Sequence, residues 1–295
     1  MSLFSQMNDN DPMPIDKRQA RRNFGRAATA YDDVAVLQHE TGRQMVERLD
    51  YMRIEPESVL DIGCGSGLTT ELLLRRFPRA RVHALDFALP MLALTRKRGR
   101  WLRRPSCVCA DLDHLPLASQ SLDLVFANAS LQWSADPAAA FRDIARVLKP
   151  NGLLIFSSFG PGTLSELRAA WAEVDGHPHV HPFIDMHDYG DMLTASGLAD
   201  PIMDVERMTL TYKEAGQLMR EIKVIGAGNA SAGRSRGLTG RKRLSRFCAA
   251  YERFRNADGR LPVSYEIVHG HAWAPAQRQV DGETRIAVDV LRRTR

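Results

Sequence analysis

Hydrophobic positions in the first half of the chain alternate between short continuous runs and longer stretches with helical spacing. Short apolar runs predict buried strands, whereas apolar residues three and four apart predict helices. The strands are predicted at Ser58–Ile62, Arg81–Asp86, Ser106–Ala110, Leu122–Asn128 and Gly152–Phe159. The helices between them are predicted at Leu68–Arg76, Leu89–Arg98 and Pro137–Leu148. Strands separated by helices in this way predict right-handed crossovers and a parallel sheet.

The flanking regions carry different patterns. Residues 21–55 predict an N-terminal cap helix, because Phe24, Ala27, Tyr31 and neighbouring apolar residues repeat at helical spacing. Residues 161–275 predict helical insertions together with the last two strands, at Ile202–Tyr212 and Val263–His271. A polar leader over 1–20 and a polar tail over 276–295 complete the predicted organisation. The expected fold is α/β, with a mostly parallel seven-stranded sheet flanked by helices.

Composition narrows the class of protein. The chain has 295 residues, of which 44% are hydrophobic and 25% charged, as in ordinary globular proteins. No apolar run approaches the roughly 20 residues of a membrane span, and no secretory signal pattern opens the chain, so we expect a cytoplasmic protein. Net charge is +5, with eleven Lys/Arg against three acids between Arg220 and Arg260. Such a basic region attracts an acidic partner.

Cysteine and histidine spacing predicts no metal site. Four cysteines occur without a CxxC pair or a Cys/His zinc pattern. His177, His179 and His181 lie in a segment rich in proline, and their spacing fits no common zinc site. We interpret that segment as a lid loop.

The first predicted strand runs into three alternating glycines, Gly63, Gly65 and Gly67. Glycine leaves no side chain between backbone N–H groups and a bound ligand. The third glycine comes one residue earlier than in the dinucleotide-binding pattern, and Asp61 precedes the first. This spacing resembles motif I of class I S-adenosylmethionine (SAM) methyltransferases. It predicts a Rossmann-like SAM-binding core over residues 56–160.

Acidic residues also end the next two predicted strands, at Asp86 and Asp111. In a parallel sheet the carboxyl ends of the strands meet at one edge, where ligands bind. Asp86 suits the ribose hydroxyls, and Asp111 suits the adenine amine while Leu112 packs on the ring. Residues from Asn128 to Trp133 suit the sulfonium end. The predicted cofactor-binding residues are Asp61, Gly63, Cys64, Gly65, Gly67, Asp86, Phe87, Asp111, Leu112, Asn128 and Gln132.

Motifs outside the sheet carry a narrower resemblance. They are residues 24–32 (FGRAATAYD), 130–133 (SLQW), 159–164 (FGPGTL), 178–180 (PHV), 237–241 (GLTGR) and 259–266 (GRLPVSYE). Together these motifs resemble the malonyl-acyl-carrier-protein O-methyltransferases of biotin synthesis. The resemblance implies methyl transfer from SAM to the free carboxyl of a malonyl thioester, the first step of the pimeloyl branch. It also implies an acidic acyl carrier protein as partner.

Candidate substrate residues follow from this resemblance. A carboxylate with a pKa near ~4 is already ionised at neutral pH, so the reaction needs no general base and no metal. Tyr31 is the catalytic candidate, because its hydroxyl would hold the malonyl carboxylate. Arg168, Arg241 and Arg246 are the candidates for substrate and carrier binding, since guanidinium groups recognise carboxylates and an acidic protein surface.

Other functions stay compatible with the sequence. One is a class I methyltransferase that acts on a quinone or another small acceptor. Another is a relative that keeps the SAM pocket but serves as a non-methylating assembly factor. The basic charge also suggests nucleic-acid methylation, but no Asn/Asp-Pro-Pro-Tyr motif follows the fourth strand, where Asn128-Ala129-Ser130-Leu131 stands. We therefore expect no nucleic-acid partner and no membrane partner.

Overall fold

The computed structural model describes residues 15–235, 237 and 239–276. The predicted leader up to residue 14 and the predicted tail from residue 277 lie outside the described residues. The strands are β1 (Ser58–Ile62), β2 (Arg81–Asp86), β3 (Ser106–Cys109), β4 (Leu122–Ala127), β5 (Leu148–Phe159), β6 (Ala199–Tyr212) and β7 (Leu261–Trp273). The helices are α1 (Lys17–Ala27), α2 (Tyr31–Val34), α3 (Val36–Arg48), α4 (Leu68–Arg76), α5 (Leu89–Thr95), α6 (Pro137–Val147), α7 (Ser165–Ala172), α8 (Met186–Ala195), α9 (Ala215–Val224) and α10 (Arg241–Tyr251).

All seven strands form one sheet in the order β3-β2-β1-β4-β5-β7-β6. The first five strands run parallel, whereas β7 is antiparallel to both of its neighbours, β5 and β6. The predicted α/β fold with a mostly parallel seven-stranded sheet is confirmed. Because β6 runs in the same direction as β1–β5, its carboxyl end lies at the same edge of the sheet as theirs.

Apolar side chains bury both faces of the sheet. On one face Phe141 of α6, Phe156 of β5 and Tyr189 of α8 pack together, with ring centroids 5.5–6.1 Å apart. On the other face the apolar side chains of α3 and α4 cover β1 and β4. A separate apolar cluster joins α7, α9 and α10 to the start of β7. Within the described part of the chain, none of the helices has the length and apolar character needed to cross a bilayer.

The N-terminal region differs from the single cap helix predicted over residues 21–55. It folds as α1, α2 and α3 with turns between them, and α1 begins at Lys17. The Asp16 side chain caps α1 by accepting a hydrogen bond from the backbone N–H of Gln19 at 3.0 Å. The turns fall at buried alanines, Ala28 and Ala35, whose small side chains let the backbone bend directly against the core. No glycine or proline marks these bends in the sequence.

Candidate active site

A pocket opens at the carboxyl ends of β1, β2, β3 and β4, beneath α1 and α2. Its empty volume is about 570 Å³, part of it open to solvent. The predicted residues that line it are Tyr31, Gly63, Gly65, Asp86, Phe87, Asp111, Leu112 and Asn128. The structure therefore brings residues from four separate strand ends and the N-terminal helices to one cavity.

The glycine loop has the conformation that its sequence predicts. Gly63 has a φ of +66°, and a Cβ on it would lie 2.4 Å from the Ser130 Cβ. Gly67 has a φ of +83° and stands at the N-terminus of α4. Side chains at these positions would face both backbone strain and a steric clash. The loop therefore presents bare backbone to the pocket.

Asp86 joins this loop to the end of β2. Its Oδ2 accepts a hydrogen bond from the Gly65 N–H at 3.0 Å, and its Oδ1 accepts one from the Ala88 N–H at 2.7 Å. Burial raises the pKa of Asp86 to about 6, although these backbone hydrogen bonds lower it in part. A carboxylate held in this way keeps lone pairs for hydroxyl donors of a ligand.

Asp61 lies behind the loop rather than in the pocket wall. It is 1% exposed and accepts a hydrogen bond from the Thr70 hydroxyl at 2.6 Å. Burial raises the pKa of Asp61 to about 7. Among the described residues, neither Asp61 nor Asp86 forms an ion pair with a basic side chain. Two buried carboxylates without a cationic partner suit a ligand that brings positive charge.

Asp111 is contacted by Lys17, which lies in the predicted leader over residues 1–20. Lys17 Nζ donates to Asp111 Oδ1 at 2.5 Å and also contacts Asp113. The same Asp111 oxygen accepts the Asp113 N–H at 3.1 Å. Asp111 Oδ2 has no such contact among the described residues. The predicted adenine acceptor is thus fixed in orientation and has one oxygen to offer.

Tyr31 lies above the glycine loop at the start of α2. A Cβ on Gly65 would be 3.7 Å from Tyr31 Cε1, so the ring faces the loop directly. Burial, with smaller effects of Asp86 and Asp32, raises the pKa of Tyr31 above its ordinary value. The hydroxyl consequently stays neutral and is a hydrogen-bond donor at physiological pH. Arg98 holds this segment in place, because it pairs with Asp32 and donates to the Ser66 carbonyl at 3.0 Å.

The segment after β4 divides its side chains between two cavities. Asn128 lines the pocket, and its amide donates to the Gln38 carbonyl at 2.8 Å and accepts from the Ser157 hydroxyl at 2.8 Å. Gln132 donates to the Ala129 carbonyl at 2.6 Å and lines a neighbouring cavity instead. The structure therefore places Gln132 away from the other predicted cofactor residues.

Cys64 and Gly67 lie behind the loop. The Cys64 thiol is buried and approaches the Thr95 hydroxyl at 3.6 Å, and burial raises its pKa. Neither residue lines the pocket. Their contribution is to shape the loop that Gly63 and Gly65 present.

The three predicted arginines do not converge. Arg168 donates to the carbonyls of Pro161 and Thr163 at 3.1 and 3.3 Å, and burial lowers its pKa. Arg246 donates to the Glu173 carbonyl at 2.9 Å on the outer side of α10. Arg241 is exposed at the start of α10. None of these arginines lines the pocket, so the structure does not bring them to Tyr31.

The histidines of the expected lid loop contact protein groups. His179 stacks on Trp171 with ring centroids 3.8 Å apart and lies 3.0 Å from Asp175 Oδ1. His181 is buried against Ser231, and burial lowers its pKa to about 4. Within the described ranges, no group of three or more Cys, His, Asp or Glu side chains is placed to hold a metal ion.

Sequence reasoning missed further residues of the pocket wall. They are Lys17, Phe24, Leu85 and Ala110, whereas Ala129, Ser130 and Trp133, which also line the pocket, fall within the stretch from Asn128 to Trp133 that was expected at the sulfonium end. The Ser130 hydroxyl is buried without a hydrogen-bond partner among the described residues, so it is available to a ligand. A signal for Lys17 existed in Asp16, a favourable helix-capping residue that the predicted leader left unused.

The fold, the glycine loop and the acids at successive strand ends define a class I SAM-dependent methyltransferase. A family profile described as a methyltransferase domain matches residues 60–156. A putative methyltransferase structure from Bacillus halodurans superimposes with a TM-score of 0.57 at 16% identity, covering 80% of this chain and 99% of that one.

Curated relatives extend the similarity over nearly the whole chain. A malonyl-acyl-carrier-protein O-methyltransferase of Halorhodospira halophila is 48% identical over 98% of this chain and 100% of its own length. The enzyme of that name from Laribacter hongkongensis is 51% identical over 89% of this chain and 91% of its own length. The chain belongs to the malonyl-acyl-carrier-protein O-methyltransferase family.

Proposed function

We propose that this protein transfers a methyl group from SAM to the free carboxyl of malonyl-acyl carrier protein. The observation that carries the proposal is the near full-length similarity to relatives of that name. It includes the N-terminal helices and the C-terminal half, which lie outside the matched methyltransferase domain. A general methyltransferase fold would not account for that extent.

The pocket fits SAM by the chemistry of its walls. Asp86 would accept the ribose hydroxyls, and Asp111 Oδ2 would accept the adenine amine beside Leu112 and Phe87. The bare backbone of Gly63 and Gly65 would face the amino-acid portion. The unneutralised charge of Asp61 and Asp86 would favour a cationic ligand.

Bound SAM supplies an electrophilic methyl group on its sulfonium. The chain's own residues then need only bind and orient the carboxylate, since a carboxylate is already ionised at neutral pH. Tyr31 would donate its hydroxyl hydrogen bond to the malonyl carboxylate, because its raised pKa keeps the phenol neutral. Helices α1 and α2 cover one side of the pocket, which would reduce the access of water to the reacting groups.

The proposal also covers the protein that carries the malonyl group and the compartment in which the reaction takes place. An acidic acyl carrier protein would carry the malonyl group, and Arg168, Arg241 and Arg246 stay candidates for binding it. The methyl ester would then serve the pimeloyl branch of biotin synthesis in the cytoplasm. The free thiols at Cys64, Cys107, Cys109 and Cys248 suit a reducing compartment.

Product analysis tests the reaction. Purified protein is incubated with SAM and malonyl-acyl carrier protein, and mass spectrometry follows the added methyl group. We expect a methyl ester that an esterase removes. Tyr31→Phe should retain SAM binding but lose about tenfold or more in kcat, which corresponds to about 1.4 kcal/mol.

Complementation provides the cellular test. The gene should restore growth of a biotin-requiring strain that lacks this methyltransferase. Growth restored only by added pimelate monomethyl ester, together with absent ester product in the assay, would contradict the proposal. Methylation of a quinone or phenol instead would favour the small-acceptor alternative.

A further inference from the structure

A second cavity lies at the same sheet edge as the SAM pocket. It has an empty volume of about 750 Å³, part of it open to solvent. Its walls come from the α2–α3 junction, from the carboxyl ends of β6 and α9, and from Tyr265 of β7. These segments are far apart in sequence and meet because β6 and β7 complete the sheet beyond β5.

A single hydrogen bond connects the walls of the two cavities. Asn128 lines the SAM pocket and Gln38 lines the second cavity, and the Asn128 amide donates to the Gln38 carbonyl at 2.8 Å. Helix α2 also contributes to both, through Tyr31 on one side and Val34 on the other. Three residues of a helix span only about 5 Å along its axis. The wall of the second cavity at Val34 therefore lies within about one helical turn of Tyr31.

The walls suit a long, mostly neutral ligand. Val34, Leu37, Leu210 and Ile222 supply apolar surface. The Tyr265 hydroxyl makes no hydrogen bond to other described residues and is free to bind an amide group. The acid in the wall, Glu221, accepts a hydrogen bond from the Gln217 amide at 3.0 Å. Its charge also raises the pKa of Tyr212, with burial as the larger cause.

Basic side chains occur on the segments that form this cavity. They are Lys213, Arg220, Lys223 and Arg260, and none forms an ion pair among the described residues. Arg260 donates to the Thr211 carbonyl at 2.9 Å, at the cavity wall. The acids of the same segments are Glu214, Glu221 and Asp258, which is three against four basic residues. The anionic group outside the cavity is therefore expected at Arg260, whose side chain reaches the wall.

A larger groove beside α7 and α8 has the opposite character. It encloses about 2460 Å³, much of it open, and five aspartates line it: Asp136, Asp175, Asp185, Asp188 and Asp191. Arg168 also lines this groove, so the acidic surroundings count against Arg168 as a carrier-binding residue. An acidic carrier protein would be repelled there, so charge favours the second cavity as the site where the carrier protein binds.

We propose that the cavity lined by Val36, Leu210, Ile222 and Tyr265 holds the phosphopantetheine arm of the malonyl carrier protein. The inference rests on the proposed function, which supplies the malonyl thioester. The neutral arm lies along the apolar wall, and its phosphodiester faces Arg260. The malonyl end reaches past α2 to Tyr31. The acidic surface of the carrier contacts Lys213, Arg220 and Lys223.

Two substitutions test the cavity, and each has a matched control. Val36 is 63% exposed and lines the cavity, so Val36→Trp fills it without disturbing the core. Val224→Trp is the control, because Val224 is 37% exposed on α9 and does not line the cavity. Arg260→Glu reverses the charge at the wall, and the exposed Arg79→Glu controls for net charge.

Kinetics with two substrates read out the effect. For Val36→Trp and Arg260→Glu we expect KM for malonyl-acyl carrier protein to rise about tenfold or more. The same variants should keep kcat/KM for malonyl-N-acetylcysteamine, which lacks most of the arm, within about twofold. Equal losses on both substrates, or an unchanged KM for the carrier-linked substrate, would overturn the inference.

Binding separates this inference from the proposed function. Wild-type protein should bind malonyl-holo carrier protein at least about fivefold more tightly than the apo carrier, which lacks the arm. Val36→Trp should abolish that difference, and Val224→Trp should preserve it. Absent ester product with an arm-dependent difference in binding would reject the reaction and support the cavity. Equal affinity for holo and apo carrier would reject the cavity whatever the reaction.

Discussion

The backbone N–H of Gly65 donates to Oδ2 of Asp86 at 3.0 Å, which ties the glycine loop after β1 to the end of β2. The carboxylate that is proposed to bind ribose therefore also fixes the loop proposed to bind the amino-acid portion. One side chain organises both halves of the cofactor site.

Asp86→Asn should weaken binding of S-adenosylhomocysteine about tenfold to hundredfold. An amide cannot accept as many hydrogen bonds, and hydrogen bonds to a charged group contribute about 1.5–3 kcal/mol. Isothermal titration calorimetry measures the change. Asp50→Asn is the control, since Asp50 pairs with Arg76 at the surface. Unchanged affinity in Asp86→Asn would contradict the assigned role.

The stability of the ligand-free protein should fall as pH rises from about 5 to 8. The pKa values of Asp61 and Asp86, about 7 and 6, exceed their ordinary value near 4. The folded chain thus binds more protons than the unfolded chain between about pH 4 and 7, and the free energy of unfolding decreases across that window. Thermal melts at several pH values measure the slope.

Asp61→Asn isolates this contribution. Five histidines act in the opposite direction, because burial lowers their pKa values and each then favours folding as pH rises: His39, His83, His181, His269 and His271. Between pH 5 and 8, the free energy of unfolding of Asp61→Asn should therefore decrease by about 1–3 kcal/mol less than that of the wild type. The contribution of these histidines is the same in both proteins. A variant whose pH profile superimposes on that of the wild type would argue against a raised pKa at Asp61.

Gly67→Ala should destabilise the protein more than Gly197→Ala. Both glycines have φ near +84°, so both substitutions cost about 1–2 kcal/mol of backbone strain. A Cβ at Gly67 would lie 2.8 Å from the Thr95 Cα, whereas one at Gly197 meets nothing within 4 Å. We expect a further loss of about 1–3 kcal/mol at Gly67. Urea unfolding measures both, and equal losses would show that the loop relaxes.

Lys17→Met should weaken cofactor binding about fivefold, because α1 loses its contacts to Asp111 and Asp113. Arg22→Met, an exposed position on the same helix, is the control. The salt dependence of the affinity gives a second readout, since the ion pair weakens as ionic strength rises. Parallel behaviour of both variants would assign Lys17 no part in the site.

The double variant with Arg241→Glu and Arg246→Glu should bind the carrier-linked substrate much more weakly than the wild type does. Its binding of a short malonyl thioester should change much less. Both arginines lie on α10 within the basic region, and an acidic carrier would be repelled by the reversed charges. Lys97→Glu, exposed on a different surface, controls for net charge. Equal effects on the two substrates would indicate that these arginines stabilise the fold and do not bind the carrier protein.

The sheet and the cofactor loop follow from local sequence patterns. β1 is a short buried run, and Asp61, Asp86 and Asp111 stand where parallel strands end, so topology alone brings them to one edge. The contact between Lys17 and Asp111 was not predictable in this way. It joins residues 94 positions apart and depends on how α1 packs.

The second cavity could not be predicted from the sequence for the same reason. Its walls combine residues 34–38 with residues 210–225, and neither stretch carries a pattern that points to the other. The bends at Ala28 and Ala35 were hidden as well, because alanine favours helix and only burial against the core explains the turns. Gln132 lines the neighbouring cavity because it lies in the short turn at Leu131–Trp133, whose direction the sequence pattern does not indicate.

The position of β7 in the sheet dictates an order of assembly during synthesis. Among the described strands β7 comes last in sequence, but it lies between β5 and β6. A nascent chain that ends before Leu261 can pair β1 to β5, but its β6 has no neighbour and the edge of β5 stays open. The second cavity cannot form in that intermediate, because Tyr265 of β7 is part of its wall. The strand ends that line the SAM pocket can form. The strand ends that line the SAM pocket can therefore pair in a shorter nascent chain than the walls of the second cavity require.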